Sequence, residues 1–399
     1  MRTKKLLSIL VIGMILLGAC AAPVPPSVPQ ETPTPATSSA LQETLAPAPL
    51  PTPQETPSPT TSTPTPTATP TPSPTPTGPY EGPLFDIHLH LYYMYMGTPT
   101  QLSRLRSAGD LLSYLDRGKV DWAIGFYILP PNKSSSSWVS TAETIISGAR
   151  SRVIPLLQPS GPWSQFVSGQ FTETVLRQYL HPQGFLRGVG EIVLSKPELQ
   201  SVTFDSPQMQ TVFQVVNELK GIVMIHPSAG PGVRSTELAE IEPAIRKYPD
   251  TIFLFHPSNA LSLVAQLMDK YPNVYYTMDV HGSLFFGSGP GIFGAGVTLY
   301  PSDAGSNNAE SFLAAVNRVG LDHIVEENLK RLTPWLQQYP DRIFWGTDLE
   351  GSWHFEQSVT DVLIRISRQF IGGLPVDVQE KYAYQNARRV FGRFLTPNP

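Results

Sequence analysis

Two histidines near residue 90 are spaced in the way that neighbouring metal ligands often are. His88 and His90 lie in a short apolar run over residues 84–91. Because side chains two residues apart on a β-strand point to the same side, a strand here would direct both imidazoles into one space. Imidazole is the commonest metal-binding side chain, so the pair indicates one side of a metal site. The motif is short, however, and two core histidines would show the same spacing.

Apolar runs alternate with helical patterns from about residue 84 to residue 395. The predicted strands cover residues 85–91, 122–129, 152–157, 186–194, 222–226, 252–256, 274–279 and 343–348. Near-continuous apolar strands separated by helices are typical of a parallel sheet that is covered on its outer face. Eight such units predict an α/β fold of the (β/α)8 TIM-barrel type, and they fit a doubly wound open sheet less well.

Polar residues with metal-binding or acid–base chemistry stand at the ends of these predicted strands. Enzymes built on a TIM barrel carry their catalytic residues at the C-terminal ends of the strands. The residues at those positions are His88, His90, Glu191, His226, His256, Asp279 and Asp348, with His281 just beyond. Core histidines have no reason to stand so regularly at the last positions of successive strands. The whole set therefore predicts a metal-binding or catalytic centre at one rim of the barrel.

Six of these residues, in their order along the chain, resemble the amidohydrolase superfamily of metal-dependent hydrolases, namely His88, His90, Glu191, His226, His256 and Asp348. The opening segment 85–90 and the closing segment 384–392 are similar to those of the amidohydrolase-2 branch. The stretch Gly190-Glu191-Ile192 also resembles TatD-like and phosphotriesterase-like relatives. The resemblance covers nearly the whole folded region and implies a metal-dependent reaction, but its motifs do not specify a substrate.

The resemblance also implies roles for individual residues. Asp348 would bind the metal, orient the attacking water and accept its proton. Glu191 could bridge two ions, with His226 and His256 on the second one; with one ion, Glu191 would contact substrate and His256 would polarise the reacting oxygen. The implied cofactor is one or two divalent ions, Zn²⁺ first, with Mn²⁺ and Fe²⁺ as alternatives. The implied metal ligands are His88, His90, Glu191, His226 and Asp348, and the implied catalytic residues are Asp348 and His256.

Further residues near the same rim are candidates for contacting a substrate. They are Arg187, Asp279 and His281, and for Asp279 and His281 ordinary surface polarity is the alternative. The glycine-rich segment 282–308 carries several aromatic residues and is long for a loop, which predicts a lid or an apolar substrate wall. Trp353 and His354 could belong to the same wall, or could simply pack in the core.

The N-terminal 20 residues have the organisation of an export signal. Arg2, Lys4 and Lys5 precede an apolar run over residues 6–17 that is too short to span a bilayer. The run ends in Leu17-Gly18-Ala19-Cys20, which resembles the lipobox of bacterial lipoproteins. Cys20 is the only cysteine, so the chain has no disulfide and no cysteine metal site. We expect lipidation at Cys20, with an ordinary cleaved signal peptide or an uncleaved anchor as the alternatives.

A tether follows the signal over residues 21–82. This segment is rich in Pro, Thr and Ser and poor in large apolar residues, so it cannot bury a core and is predicted to be disordered. The folded domain would then occupy residues 83–399. The expected location is outside the bacterial cell membrane, on a lipid anchor. The net charge of −4 and the absence of a Lys/Arg cluster argue against nucleic acid as a partner.

These observations predict a metal-dependent hydrolase that uses a metal-activated water. Its substrate would be a small-molecule amide, lactone, ester or phosphoester. One alternative is a decarboxylase, because the amidohydrolase-2 branch includes decarboxylases with the same metal frame. A second alternative is a tethered ligand-binding lipoprotein without turnover. The enzyme is favoured because a pure binder has no reason to keep Asp348 together with His88, His90 and His226.

Overall fold

The folded part of the chain is described in a computed structural model over the following residues. They are 78–91, 108–129, 143–144, 146–159, 172–182, 184–193, 202–227, 238–256, 261–280, 308–349 and 352–395. The predicted signal and tether over residues 1–77, including Cys20, lie outside these ranges. His281 and residues 282–307 of the predicted lid lie outside them too.

Eight parallel strands pair with one another in the order of the chain. They are β1 (Phe85–His90), β2 (Trp122–Leu129), β3 (Val153–Pro159), β4 (Gly188–Val193), β5 (Ile222–His226), β6 (Ile252–Phe255), β7 (Val274–Asp279) and β8 (Ile343–Gly346). A bridge between Leu89 and Leu349 brings the end of β8 next to β1, so the sheet curves round into a barrel. The predicted (β/α)8 fold is thereby confirmed.

Most of the helices connect strands and cover the outside of the barrel, and the last three follow β8. They are α1 (Ala108–Gly118), α2 (Glu173–Tyr179), α3 (Pro207–Glu218), α4 (Leu238–Lys247), α5 (Leu261–Lys270), α6 (Ala309–Val319), α7 (Leu321–Gln338), α8 (Gln357–Gly373), α9 (Val376–Glu380) and α10 (Asn386–Phe391). Within the described ranges, no helix is both long enough and apolar enough to cross a membrane.

Strand side chains are divided between two apolar clusters, which explains why the strands read as continuous hydrophobic runs. In β3, Ile154 and Leu156 pack in a cluster made mostly of strand residues inside the barrel. Val153 and Leu157 belong to the larger cluster, which includes the helices. Both faces of each strand are therefore buried, as is usual for a parallel sheet with helices on its outer face.

The C-terminal segment closes the end of the barrel at which the strands begin. A π-helical turn (Lys381–Gln385) leads into α10. Asn386 donates from Nδ2 to the carbonyl oxygens of Pro340, at 2.7 Å, and of Ile343, at 3.1 Å. The ring of Phe391 lies 5.1 Å from that of Phe344. This end is filled by packed side chains, which leaves the C-terminal ends of the strands for chemistry.

Candidate metal centre

The structure brings six of the predicted site residues together at the C-terminal ends of the strands. They are His88, His90, Glu191, His256, Asp279 and Asp348, and His226 joins them beside His256. Their imidazole and carboxylate atoms form overlapping groups in which every potential ligand atom lies within 4.8 Å of the others. No other group of three or more His, Cys, Asp or Glu side chains with this spacing occurs in the described part of the chain.

An irregularity in β1 turns both of its histidines toward this centre. Phe85 and Ile87 pack inside the barrel, so strict alternation would direct Leu89 inward as well. The pairing of β1 with β2 instead shifts register between Asp86 and Leu89, and Leu89 packs with the outer cluster. A bulge of this kind changes the direction of the side chains that follow it. His88 and His90 consequently share the inner space.

A similar shift in β4 accompanies Glu191. The pairing of β4 with β5 changes register between Val189 and Ile192, and Glu191 lies within that interval. Gly190 lets the two strands approach closely, because a Cβ atom there would lie 2.6 Å from Cβ of Met224. A larger residue at 190 would push β4 away from β5 and would move the Glu191 carboxylate.

Asp348 reaches the centre through a left-handed backbone conformation. Its φ angle is 56°, which lies in the left-handed region. Residues other than Gly, Asn and Asp rarely adopt this conformation. The amide of Asp348 donates to the carbonyl oxygen of His88 at 2.8 Å. The turn places the carboxylate over β1, where Oδ1 lies 3.2 Å from Nε2 of His88 and 3.4 Å from Nε2 of His90.

Three of these atoms have the spacing of ligands on one small cation. Nε2 of His88 and Nε2 of His90 are 3.2 Å apart, which completes a triangle with Oδ1 of Asp348. Ligands at 2.0–2.1 Å from a tetrahedral Zn²⁺ are separated from one another by about 3.4 Å. The triangle therefore fits three ligand positions around a single divalent ion.

Glu191 links this triangle to a second group of potential ligands. Its Oε2 lies 3.9 Å from Nε2 of His90, and its Oε1 lies 3.2 Å from Nε2 of His256. Potential ligand atoms of Glu191, His226 and His256 also lie within 4.8 Å of one another. The two oxygens of one carboxylate therefore face two groups, an arrangement that suits a carboxylate bridging two ions.

Every imidazole of the centre has an oxygen atom beside its Nδ1. The pairs are His88 with Asp279 Oδ2 at 3.2 Å, His90 with Gln158 Oε1 at 3.2 Å, His226 with the Pro227 carbonyl oxygen at 3.2 Å and His256 with Asp279 Oδ2 at 2.5 Å. A proton on Nδ1 that is donated to such an oxygen leaves the lone pair on Nε2. Metal-binding histidines are held in this way, since the outer oxygen fixes both the tautomer and the orientation of the ring.

Asp279 lies behind two of these imidazoles, and its position differs from the predicted substrate contact. Only 1% of the residue is exposed. Its Oδ2 serves both His88 and His256, and its Oδ1 accepts from Thr277 Oγ1 at 2.6 Å. Gly346 gives it room, because a Cβ there would lie 2.3 Å from Oδ1. Asp279 is therefore placed to orient the ligands and has almost no surface for a substrate.

The buried charges favour a cation at this point. Burial alone would raise the pKa values of Glu191, Asp279 and Asp348, but the neighbouring imidazoles hold the pKa of each below its ordinary value. Burial lowers the pKa of His226. Burial also acts to lower the pKa of His256, yet Asp279 and Asp348 raise it well above its usual range. Ionised carboxylates in an enclosed site need positive charge, which a divalent ion provides.

The donor set fits a divalent transition metal. Oε1 of Glu191 is buried and has no partner in hydrogen-bonding geometry among the described residues, although Nε2 of His256 lies 3.2 Å from it. Imidazole nitrogen and carboxylate oxygen are the ligands used for Zn²⁺, Mn²⁺ and Fe²⁺. We conclude that the residues present can hold the predicted metal, with the carboxylates of Asp348 and Glu191 available as ligands.

The structure corrects the predicted position of Arg187. This residue precedes β4, and its amide donates to the Pro155 carbonyl oxygen at 2.8 Å. It borders a small cavity together with His181 and Phe394, near the C-terminal segment. The predicted strand over residues 186–194 contains both Arg187 and Glu191, but Arg187 lies at its start, away from the C-terminal rim that carries Glu191.

Two polar residues of the centre were missed from the sequence. Gln158 is the first residue after the predicted third strand. The search for polar residues at the C-terminal ends of predicted strands could therefore have included it. Asp86 is fully buried and accepts from the Thr347 hydroxyl at 2.5 Å. Burial raises the pKa of Asp86 to about 7, although hydrogen bonds from Thr347 and from the His88 amide act to lower it.

The described contacts of the predicted aromatic wall are packing contacts. The ring of Trp353 lies 5.8 Å from that of Phe312 in α6 and 4.1 Å from that of His354. His354 is buried. Both residues follow β8, as expected, and the packing interpretation accounts for what is described of them.

Replacing Asp279 tests whether it orients the two imidazoles. In Asp279→Asn, an NH2 group replaces one carboxylate oxygen and cannot accept from Nδ1–H, and the negative charge between the two rings is lost. We expect affinity for Zn²⁺ or Mn²⁺ to fall by about 10- to 100-fold, the usual effect of losing such an outer partner. Competition with a chromophoric chelator measures the change. Asp341→Asn, at a carboxylate with 59% of its side chain exposed, is the control and should retain wild-type affinity. Unchanged affinity in Asp279→Asn would exclude this role.

Comparisons with known proteins give similarity at the level of solved structures. No protein-family model and no curated protein matches this chain. A probable 2-pyrone-4,6-dicarboxylic acid hydrolase from Acinetobacter baumannii is 13% identical and covers 77% of this chain and 99% of its own, with a TM-score of 0.39. A dihydroorotase from Campylobacter jejuni is 14% identical over 79% of this chain and 84% of its own, with a TM-score of 0.45. A 2,6-dihydroxybenzoate decarboxylase is 12% identical over 79% of this chain and 99% of its own, with a TM-score of 0.40. Values this low carry no argument about the chemistry of this chain.

Proposed function

We propose that the protein is a metal-dependent hydrolase of the amidohydrolase type. Its substrate is a small molecule with an amide, lactone, ester or phosphoester bond. The observation that carries the proposal is the triangle of His88, His90 and Asp348 atoms, with sides of 3.2–3.4 Å. Each of the two imidazoles in that triangle has its Nδ1 beside an oxygen, which leaves Nε2 for a metal.

A divalent ion held at this centre would act as a Lewis acid, which would make a water more acidic and polarise the bond to be cleaved. The chain supplies its ligands, namely His88, His90 and Asp348, with Glu191 and His226 beside them. Asp279 and Gln158 hold the rings of His88 and His90 in orientation. The residues around the centre thus determine where a water and a substrate oxygen can lie.

Asp348 is the residue best placed to move a proton. Its Oδ1 faces the two histidines of β1, whereas its Oδ2 lies 3.9 Å from Nε2 of His256. Its side chain is 17% exposed, compared with 7% for Glu191 and 1% for Asp279. A carboxylate that is partly open can accept a proton from water and pass it to a leaving group. His256, between Glu191 and Asp348, is placed to donate to an oxygen of the substrate.

Metal removal provides the first test. We expect the purified full-length protein to contain one or two divalent ions per chain. A chelator should lower its melting temperature, and adding back Zn²⁺ or Mn²⁺ should restore it, with a gain of about 2.7 kcal/mol when the free ion is at 100 times its Kd. The restored protein is then assayed with ester, lactone, amide and phosphodiester substrates. Release of carbon dioxide from aromatic carboxylic acids would instead indicate the decarboxylase. A chain that binds no metal and is not stabilised by it would refute both.

Two substitutions separate metal binding from proton transfer. His88→Ala removes a ligand atom, so bound metal should fall to a small fraction of the wild-type content. Asp348→Asn keeps an oxygen for the metal but loses the proton acceptor, so it should retain much of the metal while kcat falls by about 10²- to 10⁴-fold. Elemental analysis and steady-state kinetics on the same samples measure the two effects. Equal metal loss in both variants would contradict the role given to Asp348.

We also propose that the barrel is displayed outside the cell membrane on a lipid attached to Cys20. Support comes from the sequence, since Leu17-Gly18-Ala19-Cys20 follows an apolar run and precedes the Pro/Thr-rich segment. In bacteria that process lipoproteins, Cys20→Ala should move the protein from the membrane fraction to the soluble fraction without loss of metal. Fractionation and labelling with a fatty-acid analogue check this. A wild-type protein that takes up no fatty-acid label would rule out the lipid anchor.

A further inference from the structure

The first and last strands of the barrel meet at a seam that the backbone pairs only in part. The other neighbouring strands pair at three or more positions, except for β3 and β4, which pair only at Leu157 and Val189. At the seam, the described residues form a single bridge, between Leu89 and Leu349. Two backbone hydrogen bonds accompany it, from the Asp348 amide to His88 at 2.8 Å and from the His90 amide to Leu349 at 3.0 Å. The triangle formed by Nε2 of His88, Nε2 of His90 and Oδ1 of Asp348, here called the metal triangle, spans this seam. Its histidines belong to β1, whereas Asp348 follows β8.

The Asp86 carboxylate connects the two sides of the seam. Its Oδ1 accepts from the His88 amide at 3.0 Å and from the Thr347 amide at 2.9 Å. Its Oδ2 accepts from the Thr347 hydroxyl at 2.5 Å. The residue is 0% exposed. One buried side chain thus satisfies two backbone donors and one hydroxyl, and those donors come from both edges of the seam.

The irregularity in β1 makes this connection possible. Because the pairing of β1 with β2 shifts between Asp86 and Leu89, the His88 amide lies in an interval without a paired position on β2. A buried amide needs an acceptor, and Asp86 supplies it. On the other side, the amides of Thr347 and Asp348 both point to β1, whereas successive amides of a regular strand point to opposite neighbours. The left-handed conformation of Asp348 belongs to this turn.

We infer that Asp86 is a positioning residue that sets the separation between His88 and Asp348, and therefore the spacing of the metal triangle. It holds the backbone of His88 and of Thr347, the residues at or next to two corners of that triangle. A carboxylate suits the task because both of its oxygens accept, whereas an asparagine would present one acceptor and one donor group. This inference rests on the proposed function, since it concerns the affinity of the proposed metal site.

The test compares metal affinity with stability in a set of variants. Asp86→Asn and Thr347→Val each remove part of the connection, while Thr347→Ser keeps the hydroxyl. Asn386→Ala is the matched control, because Asn386 is a buried residue that braces the opposite end of β8 through Ile343. For each full-length protein, one measures the unfolding midpoint in chelator, the affinity for Zn²⁺ by competition, and the absorption spectrum with Co²⁺.

Asp86→Asn should bind Zn²⁺ about 10- to 100-fold more weakly, as expected when an outer partner of a metal site is lost. Its Co²⁺ spectrum should change, since the ligand spacing changes. Thr347→Val should show a smaller effect in the same direction, and Thr347→Ser should resemble the wild type. Asn386→Ala should lower the unfolding midpoint but leave Zn²⁺ affinity and the Co²⁺ spectrum unaltered. If Asp86→Asn does not fold, the inference is tested by comparing the Zn²⁺ affinity and the Co²⁺ spectrum of Thr347→Val with those of Thr347→Ser.

The possible failures can be told apart. The inference fails if Asp86→Asn binds Zn²⁺ with wild-type affinity and has an unchanged Co²⁺ spectrum. If Asp86→Asn does not fold, the same result in Thr347→Val overturns the inference. In both cases the proposed function is left intact. If Asn386→Ala weakens Zn²⁺ binding as much as the seam variants do, the effect is one of general stability and the inference fails. A wild-type chain that binds neither Zn²⁺ nor Co²⁺ would refute the proposed function, and the inference with it.

Discussion

Burial of carboxylates at one rim of the barrel is the constraint on which the site depends. Glu191 and Asp279 are almost completely enclosed and Asp348 is partly so, and an uncompensated buried charge costs several kcal/mol. Compensation comes from the imidazoles that alternate with the carboxylates, and a divalent ion would complete it. The same constraint explains Asp279, which is held by Thr277 and is given room by the lack of a side chain at Gly346. The carboxylates of Glu191, Asp279 and Asp348 are each held in position by several contacts.

The strands that carry the ligands give up regular pairing to place them. Both β1 and β4 shift register where they reach the centre, and a backbone hydrogen bond that is lost there is worth about 0.5–1.5 kcal/mol. Side chains recover part of that loss, as the contact of Asp86 with the His88 amide shows. At the opposite end, Asn386 and Phe391 close the barrel with ordinary packing and hydrogen bonds. The contacts that close and stabilise the barrel thus lie at the N-terminal ends of the strands, and the candidate metal centre lies at their C-terminal ends.

Much of this architecture could be predicted from periodicity and from position along the chain. Buried parallel strands are apolar on both faces, so their ends are visible in the sequence as points where polar residues begin. That signal identified His226 and His256 as well as Asp348. It did not show that Arg187, a predicted substrate contact, precedes β4 and therefore lies at the end opposite to the candidate centre. It also gave Asp279 a substrate contact, because sequence position does not reveal whether a carboxylate points to the open space or lies behind a ligand.

The sequence by itself determined the eight-unit α/β barrel and the set of side chains that gather at its C-terminal rim, because both follow from local periodicity and from the parallel direction of the strands. Tertiary structure alone decided how those side chains are aimed. The bulge in β1 directs His88 and His90 to the same side as Phe85, and the left-handed turn at Asp348 completes the triangle. The contacts of Asp86 and Gln158 join strands that are distant in sequence. Such contacts depend on which strands become neighbours when the sheet closes, and no local pattern in the chain encodes them.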